Sequence, residues 1–277
     1  MIERQIREYL LPCAFNAAVR AGAEIIKVYN DSEGYDISVK SDNTPLTIAD
    51  RLAHNKIKEV LGETRIPILS EEGREMLYDE RKNWEMFWLV DPLDGTIEFI
   101  KRNNEFTVNI ALMYNNECLG AVVYVPCLGK IYFAEQGCGA MLLQGVFPDE
   151  NAAYTNEDIR ANAQRLPLAD SAHEAFRIAV SRSHQTAETA AYIEAKRAQY
   201  PNLEVVEQGS SYKFCMMAEG MVDYYPRTTS TYEWDTAAAE LVLVEAGGSV
   251  RSLPDNQPLR YNKADLRNPW FECHGVK

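Results

Sequence analysis

Leu10, Ala14, Ala18, Ala21, Ile25 and Val28 recur at helical spacing and predict a helix over about 8–29. A polar, turn-rich stretch follows over 30–43. Leu52, Ile57 and Leu61 then share one face of a second predicted helix over 48–61, with Gly62 as its C-terminal stop. The pattern changes at 66–69 and 86–90, two short apolar runs of the buried-strand type. Over 106–145, β-branched and aromatic runs are punctuated by Asn115-Asn116, Gly129-Lys130 and Gly137-Cys138-Gly139, which reads as an antiparallel meander. Within it Thr107, Asn109 and Ala111 alternate with Val108, Ile110 and Leu112, so one face can be buried. The apolar pattern lapses over 146–173, and a boundary is expected there between units 1–150 and 151–277. Beyond it come a strand over 176–181, helices over 187–198 and 212–219 (ended by Gly220), and an Ala/Leu/Val helix over 236–246 closed by Gly247-Gly248.

Composition narrows the class. The 277 residues are 46% hydrophobic and 25% charged, ordinary for a globular enzyme. No apolar run approaches the roughly 20 residues that span a bilayer. The start, Met1-Ile2-Glu3-Arg4-Gln5, lacks a basic region followed by an apolar core, so a cytoplasmic location is expected. A net charge of −13 argues against binding a nucleic-acid polymer. It also means that a phosphorylated substrate needs local positive charge, from metal or from Lys and Arg, at its site. The six cysteines show no CxxC pair and no zinc spacing with histidine, and buried reduced thiols are expected.

The chemistry concentrates in Trp88-Leu89-Val90-Asp91-Pro92-Leu93-Asp94-Gly95-Thr96. An apolar strand runs into two acids separated by Pro92, which is expected to end the strand. Gly95 permits a tight turn or a close backbone approach to a ligand. Asp91 and Asp94 can converge there with the Leu93 carbonyl, the oxygen ligands that Mg²⁺ prefers. The amides near Gly95 and Thr96 can meet a phosphate oxygen. A plain surface turn explains Asp, Pro and Gly equally well from this segment alone. Ser70-Glu71-Glu72-Gly73 repeats the pattern of acids at the end of an apolar run. Asp235 opens an apolar helix after Trp234, where a helix-dipole acid is the simpler reading. Together these acids point to one cluster that divalent ions would neutralise.

Asp91-Pro92-Leu93-Asp94-Gly95-Thr96 with Trp234-Asp235-Thr236-Ala237-Ala238 resembles the paired signature of the inositol monophosphatase-like, lithium-sensitive phosphatases. Pro45-Leu46-Thr47-Ile48-Ala49-Asp50 and Glu71-Glu72 match two further motifs in order. Glu98-Phe99-Ile100-Lys101-Arg102-Asn103, the run from Glu105 to Leu112, Ser181-Arg182-Ser183-His184, Gly209-Ser210-Ser211-Tyr212-Lys213-Phe214-Cys215 and Tyr225-Pro226-Arg227 are similar to the CysQ-type bacterial branch of 3′(2′),5′-bisphosphate nucleotidases. That branch converts adenosine 3′,5′-bisphosphate (PAP) to AMP and phosphate. One position departs: Ile97 stands where the branch usually has Lys, which bears on substrate preference and not on the metal site.

The resemblance implies an α+β fold of layered α-β-α-β-α type, with an N-terminal metal-binding unit and a C-terminal unit carrying the nucleotide pocket. It implies two to three Mg²⁺ ions: one on Glu71, Asp91 and the Leu93 carbonyl, a second on Asp91, Asp94 and Asp235, and a weaker third supported by Glu71. Asp50 and Thr96 would orient and deprotonate the attacking water. Gly95, Thr96, His184, Ser210, Lys213 and Arg227 would contact substrate. PAP is the expected substrate, with its sulfated parent PAPS as a second, in sulfate assimilation. An inositol or sugar monophosphatase on the same metals is the alternative, and a catalytically silent metabolite-binding protein a more remote one. Monomer and dimer stay open, as does association with the cytoplasmic face of the membrane.

Overall fold

The computed structural model describes residues 6–31, 37–39, 45–168 and 174–276. The chain start and most of the polar stretch over 30–43 lie outside the described residues. Helix α1 (Leu11–Tyr29) follows one π-helical turn, and β1 (Ile37–Val39) pairs with β2 (Pro45–Thr47) before α2 (Ile48–Gly62). Then come β3 (Ile68–Ser70), α3 (Tyr78–Arg81), β4 (Met86–Asp94), α4 (Thr96–Ile100), β5 (Thr107–Tyr114), β6 (Glu117–Val125), β7 (Lys130–Glu135), β8 (Gly139–Gln144), α5 (Asn156–Ala161) and β9 (Gln164–Arg165). The remainder holds β10 (Arg177–Ser181), α6 (Ala187–Arg197), β11 (Glu204–Gln208), α7 (Tyr212–Glu219), β12 (Tyr224–Arg227), α8 (Glu233–Glu245), β13 (Ser249–Ser252) and β14 (Phe271–His274).

β3 to β9 form a seven-stranded sheet in chain order, parallel only between β3 and β4. A five-stranded sheet has the order β11-β10-β12-β14-β13. Side-chain alternation sets the layers. Val108, Ile110 and Leu112 of β5 pack with Phe15 and Val19 of α1 and Ile57 of α2. The other face of the same strand sends Ala111 and Met113 toward Ala238 and Val242 of α8 and Phe214 of α7. Both faces are therefore buried, where the sequence required only one. Tyr192 and Ile193 of α6 cover the outer face of the second sheet against Ile178, Val180 and Tyr224. The result is the α-β-α-β-α layering.

One expectation needs revision. β4 does not stop at Pro92. Asp91 pairs with Asn109 and Asp94 with Thr107, so two residues of β4 oppose one of β5 in a bulge that absorbs the proline. α2 does end at Gly62, which is its last helical residue, and the chain turns at Arg65 with φ of 58°. The stretch after 146 also carries structure that its sequence pattern hides. Val146, Ala152 and Ile159 are buried with α1, and β9 pairs with β8, so 146–165 packs on the first sheet.

Among the described residues no helix is long and apolar enough to cross a membrane. The six cysteines form no disulfide there; Cys215 and Cys273 are buried, whereas Cys138 is exposed.

Helix α8 lies between the two sheets, and Ala237, Ala238 and Ala239 are essentially inaccessible. Small side chains are what this spacing admits. Ala239→Leu should lower stability by about 1–3 kcal/mol through overpacking, read as a lower urea midpoint. An unchanged midpoint would show that the layer has room to spare.

Candidate active site

Each carboxylate reaches the site for a local reason. Asp91 and Asp94 flank the β4 bulge, which turns both toward one end of the strand. Glu71 directly follows β3, and its amide donates to the Val90 carbonyl at 3.1 Å, pinning it beside Asp91. Asp235 stands in the first turn of α8. Ligand oxygens of Glu71, Asp91 and Asp235 lie within 4.8 Å of one another. The simpler reading of Asp235 also holds, because its Oδ2 accepts the Tyr232 N–H at 2.9 Å. One residue thus caps the helix and joins the cluster.

Asp94 lies beside this trio, outside the tightest group. Its Oδ2 accepts the Ser211 N–H at 2.5 Å, with the Asn109 amide and the Thr107 hydroxyl each at 3.4 Å. Desolvation raises the Asp94 pKa, with Lys213 opposing the shift. Asp235 is raised well above the usual range by desolvation and then by the charges of Asp94 and Glu71. Both side chains are open to the cavity, yet the surrounding protein strips much of their water. An oxygen-only donor set whose members resist ionising together fits a hard divalent cation.

Asp50 sits behind the cluster, buried. Its Oδ2 accepts both the backbone N–H (2.8 Å) and the hydroxyl (2.6 Å) of Thr47, and its Oδ1 accepts the Thr96 hydroxyl at 3.1 Å. The Leu93 carbonyl is 3.4 Å from the same Thr96 oxygen. Donating its proton toward Asp50 leaves the Thr96 oxygen able to accept a hydrogen bond from the cavity.

The second wall comes from Gly209-Ser210-Ser211 and α7. Ser210 holds a φ of 52° and Gly95 a φ of 93°. A Cβ on Gly95 would sit 3.2 Å from Ser210 Cβ, and one on Gly209 would sit 2.3 Å from Glu98 Cγ. Glycine at these two positions lets the loops leaving the two sheets pack this closely, with the Glu105 carbonyl oxygen 3.0 Å from where a Cβ on Gly209 would stand. Lys213 is buried, and its Nζ donates to the Ser210 carbonyl (2.6 Å) and the Gln208 carbonyl (3.1 Å). Burial and then the charge of Arg227 lower its pKa to about 8, against the pull of Asp94. The Arg227 Nη2 lies 3.4 Å from the Ser230 carbonyl, while its buried Nε has no partner among the described residues. His184 Nδ1 is 3.4 Å from the Ser181 hydroxyl, and its pKa is lowered by desolvation and then by Arg227.

One cavity of about 200 Å³ gathers these groups. Glu71, Asp91, Leu93, Asp94, Gly95, Thr96, His184, Ser210, Lys213, Arg227 and Asp235 all line it, as does Ile97. Asp50 alone among the sequence-derived residues does not; it reaches the cavity through Thr96. Sequence reasoning gave no role to Thr107, Asn109 and Ser211, which hold Asp94 in place. The two polar residues at alternate positions of an otherwise apolar strand were the available signal. Glu98, which lines the cavity and accepts the Ser183 hydroxyl at 2.7 Å, was also given no role. Tyr232 and Phe271 had no sequence signal.

A family description matches residues 6–269: the inositol monophosphatase family. The chain belongs to that family. Within it, the chain is 38% identical over 257 residues to the 3′(2′),5′-bisphosphate nucleotidase CysQ of Escherichia coli K12, covering 92% of this chain and 95% of that protein. The CysQ of Salmonella typhimurium LT2 is 39% identical over the same length, with the same coverage. The crystal structure of CysQ from Bacteroides thetaiotaomicron, a bacterial family member, is 45% identical with a TM-score of 0.86 over 96% of each chain. SuhB from Bartonella henselae, 23% identical with a TM-score of 0.72 over 96% of this chain and 93% of that one, shares the fold.

The raised pKa values carry a sign that can be measured. Between the ordinary carboxylate pKa and the raised ones, the folded family member keeps protons that the unfolded chain has lost. Metal-free stability contributed by Asp94 and Asp235 is therefore present at low pH and lost as pH rises through that window. Thermal denaturation against pH should show a downward slope that Asp235→Asn reduces and that Mg²⁺ also reduces. Equal slopes in parent and Asp235→Asn would mean that the cluster is not electrostatically crowded.

Proposed function

We propose that this chain is a Mg²⁺-dependent 3′(2′),5′-bisphosphate nucleotidase that hydrolyses PAP to AMP and phosphate, with PAPS as a second substrate. The observation that carries this reading is one cavity lined by both the carboxylate cluster and Arg227, Lys213 and His184. A nucleotide with two phosphates needs both: a metal-supported site for the phosphate that reacts and a cationic one for the phosphate that stays. Similarity to the CysQ proteins over nearly the whole chain supports the same choice. A monophosphatase needs no second phosphate site, which disfavours it.

Glu71, Asp91, the Leu93 carbonyl, Asp94 and Asp235 would hold two to three Mg²⁺ ions. Bound there, Mg²⁺ supplies charge stabilisation for the transferring phosphoryl group and makes a coordinated water more acidic. The chain does the rest. Thr47 fixes Asp50 through two hydrogen bonds, so Asp50 presents its other oxygen to Thr96. Thr96 accepts a hydrogen bond from the attacking water and passes its own proton toward Asp50. The amides at Gly95 and Thr96 meet a phosphate oxygen. Arg227, whose planar guanidinium suits bidentate phosphate contact, takes the 5′-phosphate. Ser210 and His184 line the nucleotide side. We place the enzyme in the cytoplasm, acting on a small soluble nucleotide.

Lys213 is assigned a different part from Arg227. Two of its three protons are already committed to backbone carbonyls of the loop that delivers Ser211 to Asp94. Arg227→Ala should cost about 1.5–3 kcal/mol, roughly a 10- to 150-fold loss in kcat/KM for PAP, with little effect on adenosine 3′-monophosphate. Lys213→Ala should impair both substrates, because it loosens Asp94. Equal losses on both substrates for Arg227→Ala would remove it from the 5′-phosphate site.

A further inference from the structure

Glu71 and Asp235 come from stretches of chain more than 160 residues apart, and each repels the other. Backbone pairing fixes Glu71 against Asp91, since β3 and β4 are neighbours. Asp235 rides on α8, whose first turn is tied only to its own C-terminal part of the chain by the Tyr232–Arg267 bridge and the Glu233 N–H donating to the Leu266 carbonyl at 3.0 Å, among the pairings of the described residues. Something else must set its distance from the other two acids.

A buried polar network connects the two regions. Arg81, at the end of α3 just beyond the Glu71 segment, is 1% exposed. Its Nη1 donates to Asn262 Oδ1 at 2.7 Å and its Nη2 to the Lys263 carbonyl at 2.7 Å, and Asn262 Nδ2 donates back to the Arg81 carbonyl at 3.1 Å. The same 262–263 segment is gripped from the other side by Glu233, which is fully buried. Its Oε2 accepts the Asn262 N–H at 2.6 Å, and its Oε1 accepts the Lys263 N–H at 3.0 Å and the Lys263 ammonium at 2.6 Å. Glu233 opens α8 and lies two residues before Asp235. A chain of hydrogen bonds therefore runs from α3 through 262–263 to the helical turn that presents Asp235.

Burying Arg81 and Glu233 is costly unless both are well partnered. Neither touches the cavity. Apolar side chains would fill their space without that cost, so the network supplies direction, which apolar packing does not.

We infer that Arg81, Asn262 and Glu233 form a positioning brace that sets Asp235 against Glu71 and Asp91 and so determines how tightly the site holds a divalent cation. The brace rests on the reading of the acid trio as a cation site. Groups hydrogen-bonded directly to a metal ligand typically change metal affinity by about 10- to 100-fold, and the brace, one step further from the ligands, belongs at the lower end of that range.

The test is calorimetric titration of the full chain with Mg²⁺, without substrate, for the parent, Glu233→Gln, Arg81→Lys and Glu245→Gln. Glu245 sits at the far end of the same helix, where it accepts the Gly137 and Gly139 amides at 2.7 Å each, so its loss destabilises α8 without touching the brace. Glu233→Gln keeps the shape of the side chain and should fold; its Mg²⁺ affinity should fall about tenfold or more. Arg81→Lys keeps the charge but loses the fork and should fall between Glu233→Gln and the parent. Glu245→Gln should bind as the parent does. The Mg²⁺ concentration that half-activates phosphate release should shift in step, with kcat at saturating Mg²⁺ nearly restored. Unchanged affinity in Glu233→Gln, or an equal loss in Glu245→Gln, overturns the brace alone. A parent that binds no Mg²⁺ overturns the cation-site reading and the brace with it.

Discussion

Glu71, Asp91 and Asp235 bring ligand oxygens within 4.8 Å of one another in a cavity that strips much of their water. At that spacing, with an effective dielectric of about 20, each ionised pair repels by about 3.5 kcal/mol or more. That is a sizeable fraction of the ~5–15 kcal/mol by which a protein is typically stable. The fold is arranged to hold these groups against that force. Strand pairing fixes two of them, a helix turn fixes the third, and Ser211, Asn109 and Thr107 together hold the fourth acid, Asp94, alongside.

The layering explains why the site sits where it does. α8 is packed between the two sheets, so its N-terminal turn emerges where loops of both sheets meet. Gly95 from the first sheet packs against Ser210 there, and Gly209, leading into α7, against Glu98 and the Glu105 carbonyl. The acids belong mostly to the first sheet and its neighbours, whereas His184, Lys213 and Arg227 belong to the second. A junction of this kind lets one cavity carry both signs of charge, and that resolves the conflict between a net charge of −13 and a substrate rich in phosphate.

Much of this was legible in the chain because it depends on local pattern. Alternation marked β5, helical spacing marked α1 and α2, and acids directly after apolar runs marked Glu71 and Asp91. What stayed hidden depends on tertiary placement. β11 is a largely exposed edge strand with Glu204 on one face and Glu207 on the other, so it carries no apolar alternation to read. Pro92 argued for a strand end because the bulge that accommodates it is set by pairing with β5, not by its own neighbours. Lys213 lines the cavity as its motif suggested, and only the folded loop shows that its ammonium also holds the Ser210 and Gln208 carbonyls. Ser211 has no local mark as a partner of Asp94, since 117 residues separate the two.

The central claim is that this junction selects a nucleotide with two phosphates. Substrate competition tests it most directly: phosphate release by the Mg²⁺-loaded full chain from PAP, PAPS, inositol 1-phosphate and fructose 1,6-bisphosphate, compared as kcat/KM. PAP should give the highest value, and inositol 1-phosphate should trail by at least the loss expected for a missing charged contact, about tenfold or more. Inositol 1-phosphate or fructose 1,6-bisphosphate turning over as efficiently as PAP would contradict the account.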